Sequence, residues 1–218
     1  MKTKNIIIVG SGGFAKEIYS YIKHDLRKGL LANVRIKGFI DKNLTTFSSS
    51  GISDNYLGDE FSYPISDEDY FIVAIGYTRN NLRKRIIETL ENRGAKFFSY
   101  IHPNSFVSDD STVEEGVVIC PYCVVTGNAV IKKHAVLNIY SSIAHDCLLG
   151  EHAILSPYAT INGAVKAGSE LFMGTKAVIL GGLTIGDRCR VSVGAVLTKN
   201  IEDDTYVFSR IKSLLKKK

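Results

Sequence analysis

Stepping by six from Ile185 in both directions gives Val107, Val113, Ile119, Val125, Ile131, Leu137, Ile143, Leu149, Leu155, Ile161, Ala167, Met173, Ile179, Ile185, Val191 and Leu197. Of these sixteen consecutive places, fifteen hold Val, Ile, Leu or Met and one holds Ala. Four places after each runs a second series, from Ser111 to Ile201, and eleven of its sixteen members are Ala, Ser or Cys. An α-helix cannot keep a six-residue stripe on one face, because 3.6 residues per turn carry it around the rod. An antiparallel meander needs turn signals at its strand ends and would lose this phase. The period fits a β-solenoid of short strands, with one residue of each hexapeptide pointing inward and a small one at a tight corner. Three sides per coil make the sixteen hexapeptides about five coils.

The first half has a different texture. Ile6 to Val9 reads as a buried strand, Gly10-Ser11-Gly12-Gly13 as a turn and Phe14 to Leu31 as a helix. Val34 to Ile40 is a second strand ending at Asp41, and Asn43 to Asp59 reads as loop. Tyr70 to Ile75 is a third strand closed by Gly76, and Asn80 to Asn92 an amphipathic helix. Short apolar runs alternating with helices mark a parallel α/β unit. The expected organisation is an α/β Rossmann-like half domain over residues 1–98, a β-helix over 99–201 and a basic tail over 202–218.

Charge excludes one class of partner. The formal net charge is +5, but five of the 27 basic residues lie in the last nine positions, leaving 22 basic against 22 acidic residues. A neutral body makes a polynucleotide groove unexpected. No run approaches the ~18 apolar residues of a spanning helix, so no membrane insertion is expected. No leader-like segment opens the chain, and four scattered cysteines suit a reducing cytoplasm. Cys123, Cys147 and Cys189 fall in the small corner series, which explains them as packing, and Cys120-Pro121-Tyr122-Cys123 has no second pair to complete a zinc site, so no metal is expected.

Two places carry chemistry. Gly10-x-Gly12-x-x-Ala15 between strand and helix leaves amides open to an anion such as a diphosphate, with a purely structural turn as the alternative. About 95 residues are too few for a full dinucleotide domain, so a mononucleotide or nucleotide-sugar fits better. His145 stands two places past the inward Ile143, outside a core slot, and Asp146 follows it. A histidine beside a carboxylate can serve as a general base.

The hexapeptides resemble the left-handed parallel β-helix of the hexapeptide acyltransferases. With Val9-Gly10-Ser11-Gly12-Gly13-Phe14-Ala15-Lys16-Glu17, Gly38-Phe39-Ile40-Asp41, Ala74-Ile75-Gly76 with Arg83 after it, and Asn138 through Ile143-Ala144-His145-Asp146-Cys147, nearly the whole chain resembles the sialic-acid-type and bacillosamine-type sugar acetyltransferases. That resemblance implies acetyl transfer from acetyl-CoA to an amino group on a nucleotide-linked deoxysugar, for surface-glycan building. It implies His145 as base with Asp146 raising its basicity, and contacts to the nucleotide-sugar from Gly12, Gly13, Phe14, Asp41, Lys42 and Gly76, with Asn138 near the acceptor sugar. Gly163 would offer its amide to the thioester carbonyl, and Thr175 and Val193 backbone contacts to the pantetheine arm. Ile154 takes the position, nine past His145, where relatives carry a second histidine touching the acyl donor. A homotrimer with the CoA cleft between neighbouring coils is implied too. The segment Val207-Phe208-Ser209-Arg210-Ile211 departs from the family's usual coil ending, and an approach of Arg210 or Lys212 to the CoA phosphates is a separate hypothesis. His134 and His152 are expected at exposed corners, and His24 and His102 have no constellation around them. O-acetylation of a sugar hydroxyl and a non-catalytic scaffold are the rival functions.

Overall fold

The computed structural model describes residues 2–77 and 81–209. Among the described residues are two compact units, one of residues up to 103 with 114–120, the other of residues 104–113 and from 121 onward.

The first unit is built on β1 (Lys4–Val9), α1 (Gly13–Arg27), β2 (Val34–Ile40), α2 (Leu44–Ser49), β3 (Asp69–Val73), α3 (Leu82–Asn92) and β4 (Lys96–Phe97). The four strands pair in parallel in the order β2-β1-β3-β4. Ile6, Ile7 and Ile8 of β1 are wholly buried, as expected of a parallel strand covered on both faces. Ala15, Ile18 and Ile22 give α1 its buried stripe, and Ile87 and Leu90 of α3 join Ile7, Phe71 and Phe97 in one apolar cluster. The strand order reverses direction of growth at β1, so the carboxyl ends of β1, β2 and β3 border a crevice at a topological switch point.

Several sequence expectations are corrected here. Helix α1 stops at Arg27 rather than Leu31, because Gly29 takes a left-handed φ of +69° and its amide and that of Leu30 close on Leu26 O and Asp25 O. The stretch from Asn43 to Asp59 contains a short helix, α2, whose first turn is capped by Asn43 Oδ1 accepting from Thr46 N at 2.9 Å. His102 has neighbours after all. It is buried, packs edge-on to Tyr21 and Tyr100, and places Nε2 4.0 Å from Asp25, whose other oxygen accepts from Tyr100 OH at 2.6 Å. Strand β3 begins at Asp69 and ends at Val73, while α3 begins at Leu82; Asn80 lies outside the described residues.

The second unit is a left-handed parallel β-helix. Its two-residue strands pair in parallel with strands eighteen residues away, as Ser142 does with Val124 and Thr160. Three sheets form the sides. From Val125 to Leu197 every member of the six-step series is buried, and from Cys123 to Ala177 so is every member of the second series. Each corner turns on a residue three places past the inward one. Eleven of these, from Tyr122 to Arg188, are not glycine, yet hold φ between 56° and 62°. Left-handed backbone costs an L-residue roughly 1–2 kcal/mol, so the stacked core must over-determine these turns. Corner residues eighteen apart then stack: Tyr122, Tyr140 and Tyr158 lie ring on ring at 5.0 and 4.9 Å. His134 and His152 do the same at 5.3 Å, which overturns their expected exposure, since His134 is buried and His152 half-buried.

Candidate active site

The site on the coil grows from one corner. His145 and Asp146 are consecutive turn residues, and Asp146 takes the left-handed conformation, φ 59°. Its amide donates to Gly127 O, one coil earlier, and the next coil returns Ala164 N to His145 O at 2.8 Å. With the backbone so held, His145 Nδ1 meets Asp146 Oδ2 at 2.8 Å. Asp146 Oδ1 accepts from Asn128 Nδ2 at 3.2 Å. The hydrogen bonds from His145 and Asn128 hold the Asp146 carboxyl below its ordinary range. An ionised carboxylate only accepts, so Nδ1 carries the proton of this contact, and in the neutral imidazole Nε2 is then the lone-pair acceptor.

What faces Nε2 is glycine. A Cβ on Gly163, eighteen residues on, would stand 2.6 Å from His145 Nε2 and 2.7 Å from Cε1. The absent side chain is therefore a condition for the ring's position. Among the described residues, Gly163 N–H has no acceptor, whereas its neighbours Asn162 N and Ala164 N donate into the coil. An unengaged amide beside an imidazole acceptor can stabilise an oxyanion while the base takes a proton. The two rings of contact leave the pair open, with the His145 side chain 67% exposed. Cys147 is no rival nucleophile: burial pushes its thiol up, and Sγ donates to Asn162 O at 3.1 Å.

Other expected positions lie elsewhere on the coil. Asn138 is at the far end of the sheet face that leads to His145; its Oδ1 accepts from Ile139 N and its carbonyl from Ser141 Oγ. Ile154 is half-buried on a strand of another side. Thr175, half-buried, and Val193, 61% exposed, stand on the edge that carries the tyrosine stack. Arg210 and Lys212 fall outside the described residues.

The first unit holds a separate cleft of about 780 Å³ at the carboxyl ends of β1, β2 and β3. Gly12, Gly13, Phe14, Asp41, Lys42 and Gly76, all expected from the sequence, line it. Gly12 is the N-cap of α1 and offers no side-chain cap, so the amides of the first turn face an anion site. Ser11 Oγ donates to Asp41 Oδ2, and Lys42 N to Asp41 Oδ1 at 2.6 Å. Sequence reasoning missed Asn128, which subtraction of eighteen from Asp146 would have found, and Glu60 and Phe61 in the cleft wall, for which no periodic signal exists.

A parallel coil of hexapeptides with this edge places the molecule in the hexapeptide-repeat class. Residues 5–90 match the PglD N-terminal domain. A curated UDP-N-acetylbacillosamine N-acetyltransferase from Bacillus subtilis (strain 168) is 31% identical over 121 residues, 53% of this chain. The chain spans about half of that relative, 51%. PerB from Caulobacter crescentus, solved with CoA and GDP-perosamine, is 26% identical over 93% of this chain and 92% of its own, with a TM-score of 0.79. WeeI from Acinetobacter baumannii AYE is 28% identical, covering 94% and 96%, with a TM-score of 0.76. The acetyltransferase domain of PglB from Neisseria gonorrhoeae FA1090, solved with acetyl coenzyme A, shares the fold at 24% identity over 94% and 95%, TM-score 0.78. Over nearly its whole length the chain is thus similar in fold to these acetyltransferases, and its first part matches the PglD N-terminal domain.

Among the described residues no helix is long and apolar enough to cross a membrane, and no group of three His, Cys, Asp or Glu side chains is placed to hold a metal ion.

Proposed function

We propose that this chain transfers an acetyl group from acetyl-CoA to the amine of a nucleotide-linked amino-deoxysugar, with His145 as general base. The observation that carries it is the His145 edge. Nδ1 is committed to Asp146 at 2.8 Å, and Nε2 is left over a glycine whose own amide is unengaged. The cleft of the first unit takes the nucleotide, its diphosphate on the amides of Gly12, Gly13 and Phe14, and Asn138 serves the sugar. As the amine nitrogen attacks the thioester carbonyl, His145 Nε2 accepts its proton and Gly163 N–H steadies the developing oxyanion. The carbon–sulfur bond then breaks, and His145 returns the proton to the departing thiolate. An oxyanion donor of this kind is worth about 3 kcal/mol.

Relatives support the choice of acceptor: the curated one is an N-acetyltransferase of a uridine-linked sugar, and PerB holds CoA and GDP-perosamine together. Structures of the perosamine enzyme with one histidine replaced by Asn or Ala still hold both ligands. A homotrimer is part of the proposal. The edge bearing Thr175 and Val193 is not the edge of His145, so those residues serve the acyl donor of a neighbouring copy. The cytoplasm, where acetyl-CoA and sugar nucleotides occur together, is the proposed setting. Incubation with acetyl-CoA and 4-amino-sugar nucleotides, read by mass spectrometry, should show a gain of one acetyl group that His145→Ala abolishes without loss of fold. Undiminished turnover in that variant removes the base assignment, and acetylation of free sialic acid instead of the amine moves the enzyme to O-acetylation.

A further inference from the structure

The cleft has a wall that the glycine turn and Asp41 do not explain. Phe61 lies on it and is 69% exposed. The backbone that carries it is firmly held. Asp59 Oδ1 accepts from both Phe61 N and Ser62 N at 2.8 Å, and Asp59 O accepts from Tyr63 N at 3.1 Å. Arg93 reaches across from the end of α3 and donates to Glu60 O and Tyr63 O at 2.5 and 2.6 Å. Tyr63, next but one, is buried edge-on against Phe71. A turn fixed at this many points holds a large apolar ring in water, which costs hydrophobic free energy unless something covers it.

The rest of the cleft tells what remains to be bound there. The diphosphate belongs to the first turn of α1. Asp41 directly follows β2, the place where doubly wound sheets meet ribose hydroxyls, and is oriented by Ser11 Oγ and Lys42 N. The base is then left for Glu60 and Phe61, and the volume of about 780 Å³ accommodates a whole nucleoside diphosphate. Glu60 decides which base. A carboxylate only accepts. Guanine presents two adjacent N–H groups on one edge, at N1 and N2. Uracil and thymine present one, between two carbonyl oxygens that a carboxylate repels, and adenine sets its amino group beside an acceptor.

We propose that Phe61 is a stacking platform for the nucleobase and that Glu60 selects guanine, so that the substrate is a guanosine-diphosphate sugar. This rests on the nucleotide-sugar reading of the cleft. A paired contact of this kind discriminates by about tenfold to a hundredfold, and loss of a stacking ring weakens binding by about tenfold without regard to base.

Titration calorimetry of the full chain with GDP, UDP and dTDP tests it. Wild type should bind GDP at least about tenfold more tightly than the other two. Glu60→Gln should erase that ratio by weakening GDP alone, and Phe61→Ala should weaken all three. Phe61 is largely exposed and Gln matches Glu in size, so circular dichroism should show both variants folded. Equal affinity of wild type for GDP and UDP, or a ratio unmoved by Glu60→Gln, overturns the base assignment and leaves the nucleotide cleft standing. Failure of all three to bind wild type overturns the assignment together with the cleft reading beneath it.

Discussion

Replacing Gly163 by Ala asks whether the imidazole is placed by an absence. The new Cβ would lie 2.6 Å from His145 Nε2, 2.7 Å from Cε1 and 3.1 Å from Cδ2. Ordinary carbon contacts begin near ~3.5 Å, so the ring must retreat by about 0.8 Å. It can do so cheaply, because its side chain is 67% exposed and the coil need not deform. We expect a stability loss of under about 1 kcal/mol. Catalysis is another matter. Retreat pulls Nδ1 from the 2.8 Å contact with Asp146 and carries Nε2 off its line to the amine. A misplacement near 1 Å costs on the order of a hundredfold in rate, about 2.7 kcal/mol of barrier. The alanine amide keeps its N–H, so the oxyanion donor survives and the loss belongs to the histidine. Release of CoA thiol, followed with a disulfide reagent under saturating substrates, measures kcat, and thermal unfolding checks the fold. A kcat within about threefold of wild type would refute the steric argument.

Asn128→Ala frees Asp146 Oδ1 while leaving the pair itself intact, so kcat should fall by about two- to tenfold, the worth of one hydrogen bond, with KM unmoved; in an Asp146→Ala background the same change should do nothing, and an additive loss would show that Asn128 does not act through Asp146. Acid should find Asp69 in the first unit. Burial alone would raise its carboxyl, but donors from Lys37, Asn5, Ser66 and Tyr63 outweigh that and bring it down to about 2. A depressed folded value means the stabilisation is complete above the unfolded carboxylate range near ~3.9 and is lost as pH falls through about 2, amounting to about 2 kcal/mol. Urea unfolding of Asp69→Asn should therefore be weaker than wild type at pH 7, with the gap closing towards pH 2; a constant gap would deny the linkage.

The coil was legible because its period belongs to no other fold: Ile119 through Leu197 filled the core place after place. The corners were less so. Tyr140, His152, Glu170 and Lys176 sit in left-handed turns where local preference favours Gly or Asn, and only stacking on the coils before and after holds them there. His134 looked solvent-facing for the same reason, since its burial depends on a ring eighteen residues away. In the first unit the apolar runs of β1 and β3 were plain, whereas Leu-Thr-Thr-Phe-Ser-Ser gives a weak helical signal and forms α2 only with its Asn43 cap. His145 and Asp146 could be found as neighbours in the chain. Asn128 stands a whole coil earlier and is reached only by counting back the eighteen-residue pitch.

That pitch has an evolutionary consequence. Removing or duplicating eighteen residues anywhere beyond Ala164 would take out or add one whole storey and return every later side chain to the edge it left. Height above the imidazole can thus be varied like floors in a tower, whereas a single inserted residue would rotate everything above it onto the wrong wall.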